Sequence, residues 1–178
     1  MMIKKLAMVS TALFVLTGAT SHDIEIHEAF QMHSPNDVQC LALNIYHESR
    51  NESLAGQVAV ADVTVNRMFD TRYPNTICGV VYQAKLSEWH LEQGREVPAR
   101  NKCQFSWYCD GKSDEPKDGD SWESAKLIAS NFLTYGEYRG ITEGATHYHA
   151  GYVNPYWIHD RGMQRVGSIG EHIFYRWN

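Results

Sequence analysis

The chain has 178 residues, 43% hydrophobic, 12% aromatic and 21% charged, a balance that fits one globular domain with a core of its own and argues against disorder or a repeat array. Sixteen Lys and Arg against 21 Asp and Glu leave a net charge of −5, so no basic field exists to hold nucleic acid or an anionic membrane surface. Nine His, ten Tyr and five Trp suit a groove for a neutral, sugar-like or peptide-like ligand better than a phosphate cradle.

In chain order, Lys4 and Lys5 precede an uncharged run from Leu6 to Ala19. Residues 1–19 therefore read as a secretory signal peptide, too short for the roughly 18 apolar residues of a stable membrane span. Residues 20–36 read as a tether and 37–178 as the folded domain. Val38, Leu41, Ala42 and Ile45 recur at helical spacing, which predicts a helix over 38–50. Residues 56–69 hold many branched side chains, but Val58, Ala61, Val65, Met68 and Phe69 share a helical face, and Asn51 or Ser53 can cap the start. Ile77 to Tyr82 is a short apolar stretch, 84–102 a polar loop or partly helical insertion, and Asp110 to Asp120 a second polar loop. Another helix follows, with Asp120 as its expected N-cap, Glu123 three residues on, and Gly136 as its stop. After Gly144 the pattern alternates: Thr146, Tyr148 and Ala150 fall on one side, His147 and His149 on the other, and Ile173 to Trp177 is a second extended piece. A helical lobe followed by a small irregular β lobe makes the expected class α+β.

Four cysteines, Cys40, Cys78, Cys103 and Cys109, in an exported chain imply two disulfides. Three pairings are open, although Cys103 and Cys109 are close enough to loop together. The first helix ends Tyr46-His47-Glu48-Ser49-Arg50. There Glu48 lies at the margin of the apolar stripe and in the last turn, where unpaired carbonyls disfavour a carboxylate. Both surroundings push its pKa up, which is what a general acid for glycosidic cleavage needs. The plain alternative is a rim Glu paired with Arg50 or Arg67.

The segments Tyr46-His47-Glu48-Ser49-Arg50, Gly56 to Ala61, Val65-Asn66-Arg67, Tyr73 to Val81 and Gln104 to Gly111 resemble the spore cortex-lytic (SleB-like) family of cell wall hydrolases. Ala145 to Ala150, Pro155-Tyr156-Trp157 and Ile169 to Arg176 resemble its C-terminal part, in the same order. The resemblance implies a peptidoglycan-cleaving domain with a lysozyme-like helical lobe. It also implies catalysis by Glu48 as a lytic transglycosylase between N-acetylmuramic acid and N-acetylglucosamine, needing neither a metal nor another cofactor. Ser49, Asn51 and Ser53 depart from the Ala, Gly and Pro that the family more often carries. Gln104, Ser106, Thr146 and Tyr148 lie inside matching motifs and are candidates to bind the sugar chain. Trp107, Tyr156 and Trp157 are candidates to stack on sugar faces.

A two-carboxylate hydrolase would need a second acid about 5 to 9.5 Å from the first. Asp62, expected to face solvent, and Asp110, expected to fix a turn, are the nearby candidates. His147 and His149, with His159 and His172, raise a different chemistry, a zinc amidase or endopeptidase. A wall-binding module without catalysis is the third reading. The expected partner is peptidoglycan, met as a monomer in the periplasm or cell wall, by a bacterial enzyme or a phage lysis protein.

Overall fold

A computed structural model describes residues 33–178; the leader read at 1–19 and nearly all of the tether lie outside them. Helix α1 (Pro35–Ser49) starts earlier than the apolar stripe alone indicates. Ser34 caps it by accepting from the Asp37 N–H, and the Asp37 side chain closes a capping box. Pro35 loses nothing in the first turn, where its missing N–H would have had no partner. Helix α2 (Leu54–Phe69) is capped by Ser53, one of the two expected residues. It is followed by the short α3 (Ile77–Val81), strand β1 (Ala84–Leu86), the one-turn α4 (Glu88–Leu91) and strand β2 (Pro98–Cys103). Helix α5 (Gly119–Tyr135) is capped by Asp118 rather than Asp120, and ends at Gly136 in the left-handed region, φ 65°. Strands β3 (His147–Ala150), β4 (Met163–Ile169) and β5 (His172–Trp177) complete the chain.

The result is α+β: helices packed around α1 and α2, a β1–β2 ribbon, and an antiparallel sheet in the order β3-β5-β4. One expectation is corrected: the region 84–102 is a hairpin carrying a helical turn. Strand β4, for which the sequence offered no reading, is a full strand with a register shift between Arg165 and Gly167.

Helix α2 is the axis of the fold, buried on two sides. Val58, Ala61 and Val65 join Leu41, Ile45, Phe132 and Leu133 in the main core, while Ala59 and Val63 pack on Ala145 and Phe174 beneath the sheet. A helix buried on both faces loses the one-sided stripe, which is why its spacing reads ambiguously. Polar groups pin the layers. Asn44, fully buried, donates to Thr64 Oγ1 at 3.0 Å and accepts from Trp107 Nε1 at 3.1 Å.

Asp62 does not face solvent; it is 0% exposed. Its carboxylate accepts from the Gly140 and Thr142 backbone N–H groups at 3.0 and 3.1 Å, from the Thr142 hydroxyl, and from Arg139. It therefore fastens α2 to the turn that leads into β3. At the other end of α2, Glu52 accepts from the Glu171 N–H at 3.1 Å. Gly170, at φ 56°, makes the β4–β5 turn there, where an added Cβ would collide with the Glu52 carboxylate.

The cysteines pair as Cys40–Cys78 and Cys103–Cys109. The first ties α1 to α3, and the second closes a small loop around the 3₁₀ turn Ser106–Cys109.

Candidate active site

The end of α1 delivers Glu48 to a place where several elements meet. Helix α2 supplies Arg67 from its last turn, the Cys103–Cys109 loop supplies Gln104, Phe105 and Ser106, and β3 supplies His147 and Tyr148. With Trp157 these residues line a cavity of about 240 Å³. On its other side Glu48 borders a second cavity, of about 400 Å³, lined by Tyr46, His47, Trp107 and the 110–117 loop. The two share Glu48 and Ser106 in their linings, so both cavities border the glutamate. A third hollow, of about 260 Å³ between α2 and α5, has a mainly apolar lining and lies away from Glu48.

The 110–117 loop is held by α1. His47 Nε2 bonds the Asp114 carbonyl at 3.0 Å, and the Tyr46 hydroxyl accepts from the Lys117 and Asp118 N–H groups at 2.9 and 3.0 Å. The His47 ring stacks on Trp107, with centroids 4.5 Å apart.

Glu48 is not paired with Arg50 or Arg67 in a direct ion pair among the described residues. Its Oε2 accepts the Tyr148 hydroxyl at 2.9 Å. Burial pushes the Glu48 pKa above the ordinary glutamate value, more than the Tyr148 hydrogen bond and the Arg67 charge pull it down. Burial first, and then the nearby Glu48, hold Tyr148 in its phenol form, so it remains a donor. A carboxyl whose pKa is raised by burial, held by one hydroxyl and lining a cavity, is suited to protonate an oxygen brought against it.

Of the four residues expected to bind sugar, Gln104, Ser106 and Tyr148 line the Glu48 cavity. Thr146 does not. It is 4% exposed, its hydroxyl meets His147 Nδ1 at 3.0 Å, and its carbonyl accepts from Arg67 Nε at 2.7 Å. Alternation puts Thr146 and Tyr148 on one side, but Thr146 lies behind the wall. Trp157 reaches the cavity, Trp107 belongs mostly to the core, and Tyr156 is 85% exposed.

Asp110 fixes a turn, as expected. It accepts from the Lys112 N–H at 2.8 Å, and that contact holds its carboxyl below the usual range. The histidines do not gather. His149 places its two ring nitrogens on the Ala150 carbonyl and the Tyr175 hydroxyl, His172 faces Glu52 at 3.9 Å, and His159 is exposed. Burial, followed by Arg67 and Arg72, lowers the His147 pKa to about 4. Among the described residues no three His, Cys, Asp or Glu side chains are grouped to hold a metal ion.

Arg67, Phe105 and His147 are the residues whose place in the cavity wall sequence reasoning missed. The signal for Arg67 was a cation on the last turn of a helix rich in Val and Ala.

A family model described as Cell Wall Hydrolase matches residues 51–175. The chain belongs to this family. Among curated relatives, a spore cortex-lytic enzyme of Bacillus cereus is 45% identical over 53 residues, which is 30% of this chain and 20% of the relative. One from Bacillus subtilis is 42% identical over 50 residues, 28% of this chain and 16% of the relative. The matches thus span a fifth or less of those enzymes. Solved structures cover more. The catalytic domain of the germination-specific lytic transglycosylase SleB from Bacillus anthracis matches with TM-score 0.57 and 28% identity, over 82% of this chain and 98% of that one. The catalytic domain of Bacillus cereus SleB matches with TM-score 0.56 and 28% identity, over 81% and 92%. This cell wall hydrolase therefore has the α+β fold of those catalytic domains.

Proposed function

We propose that this cell wall hydrolase cuts the glycan strands of peptidoglycan between N-acetylmuramic acid and N-acetylglucosamine as a lytic transglycosylase, with Glu48 as the acid and then the base. The observation that carries this reading is a buried glutamate, its pKa raised by that burial, in the lining of both cavities, where a polymer lying along the two presents its linkage to the acid. Glu48 gives its proton to the bridging oxygen as the bond from the sugar C1 to that oxygen breaks. The resulting carboxylate takes the proton of the same sugar's C6 hydroxyl, whose oxygen closes on C1. No water is consumed, and Glu48 ends protonated as it began. Gln104, Ser106 and Tyr148 contact the strand, and Tyr148 also orients Glu48.

Support comes from the fold shared with a domain titled as a lytic transglycosylase. Asp62, one of the nearby candidates for a second acid, is consumed by its clamp. Two disulfides suit work outside the cytoplasm, in the periplasm or wall, and among the described residues no helix is long and apolar enough to cross a membrane.

Mass spectrometry of fragments released from purified walls tests the reading. The expected product ends in a 1,6-anhydro sugar. A reducing muramic end would indicate hydrolysis with a second carboxylate, and a cut peptide would revive the zinc peptidase alternative.

A further inference from the structure

Arg67 is the one permanent cation among the residues lining the smaller of the two cavities beside Glu48, and its protein contacts leave part of it unused. Nε donates to the Thr146 carbonyl at 2.7 Å, the guanidinium packs against the rings of Tyr73 and Phe105, 5.5 and 5.1 Å from their centroids, and the Tyr73 hydroxyl and the nearby Glu48 support its charge. These contacts fix its orientation. Nη1 is buried without any hydrogen-bond partner, and the side chain makes no ion pair among the described residues. A fixed guanidinium with an unmade hydrogen bond, 4% exposed in a cavity wall, is costly unless something entering the cavity supplies an acceptor. That acceptor is not the sugar ring, because positive charge develops there as the glycosidic bond breaks. It belongs to a substituent. The strong acceptors on these sugars are acyl oxygens; a guanidinium N–H donates to an acetamide carbonyl, and a carboxylate can take two parallel N–H bonds from it.

We infer that Arg67 is a substrate-binding residue that holds an acyl oxygen of the glycan strand, either a 2-acetamide carbonyl or the 3-lactyl carboxyl group, beside the bond Glu48 protonates. This rests on the proposed function, and the test separates the two.

In a Glu48→Gln background, calorimetry would compare two probes: an alternating N-acetylglucosamine and N-acetylmuramic acid tetrasaccharide with free lactyl carboxylates, and chitotetraose, which has acetamides only. Adding Arg67→Lys, which keeps charge but not the fork, is expected to weaken the muramic probe at least tenfold while thermal melting stays cooperative. An equal loss with chitotetraose assigns the acetamide oxygen; a loss confined to the muramic probe assigns the lactyl group. Unchanged affinity for both probes would overturn the inference while leaving the proposed function intact. If Arg67→Lys fails to fold, the Glu48→Gln protein alone decides. Removing the acetyl groups, or reducing the lactyl carboxyl to an alcohol, should cost it the same tenfold for one of the two changes, and equal binding of all three forms would overturn the inference. Absence of binding by any glycan would instead overturn the peptidoglycan reading, and the role of Arg67 with it.

Discussion

Replacing Asp62 by alanine separates a structural carboxylate from a catalytic one. The substitution strands two backbone N–H groups, the Thr142 hydroxyl and the Arg139 guanidinium, all now served by one fully buried carboxylate. Breaking a buried, hydrogen-bonded ion pair costs about 3 to 5 kcal/mol. The lower part of that range is expected here, since Arg139 is 23% exposed and can rehydrate. At roughly 2 to 4 °C per kcal/mol for a chain of this size, the melting temperature should fall by about 10 °C. Asp62→Asn, which keeps one acceptor and the shape, should lose less. Both proteins, assayed well below their melting points, should clear peptidoglycan suspensions within a few-fold of the wild-type rate, because Asp62 does not line the groove. Melting by circular dichroism and turbidity loss measure the two effects. An Asp62→Asn protein that melts like wild type but has lost a hundredfold in rate would refute the clamp and make Asp62 the second acid of a hydrolase.

Tyr148→Phe removes a hydrogen bond that holds the Glu48 pKa down, so the alkaline limb of the pH–rate profile should move to higher pH, with about a tenfold loss of rate from poorer orientation; a limb moved to lower pH would contradict this. His147 titrates at about 4 when folded against 6.5 when free, so its contribution to stability is complete above 6.5 and lost as pH falls toward 4. His147→Gln should flatten that part of the stability curve, as followed by urea unfolding at several pH values. Opening Cys40–Cys78, with a sequence separation of 38, should cost about 4 kcal/mol, and opening Cys103–Cys109, with a separation of 6, about 2 kcal/mol on the chain-entropy relation. The smaller bridge should nevertheless cost more activity, because its loop carries Gln104 and Ser106 into the cavity; paired Cys→Ser variants in unfolding and clearing assays check the inversion.

Helices α1 and α5 were legible because they obey one-sided burial. Leu41, Ala42 and Ile45 mark the α1 face, and Glu48 follows from the same wheel. The body of α5 and its Gly136 stop were equally plain. Its cap was not, because Asp118 and Asp120 are both good capping residues and only the observed bond to the Ser121 N–H separates them. The β1–β2 ribbon escaped notice because Lys85, Arg100 and Lys102 leave no apolar alternation on two exposed strands, and β4 because its bulge beside Gly167 interrupts the period. Asp62, Thr146 and Arg67 share a different difficulty. Each is defined by partners about 80 residues away along the chain, and local periodicity carries no information about such contacts.

The most direct measurement is the clearing rate of a peptidoglycan suspension by Glu48→Gln at neutral pH, taken together with its melting temperature. Loss of the general acid should lower the rate by roughly 10² to 10⁴-fold. The same protein should melt no lower than wild type, because the folded state holds its glutamate pKa above the unfolded value, so ionisation costs stability at neutral pH and the amide escapes that cost. A folded Glu48→Gln protein that clears the suspension at the wild-type rate would contradict the assignment of Glu48 as the acid.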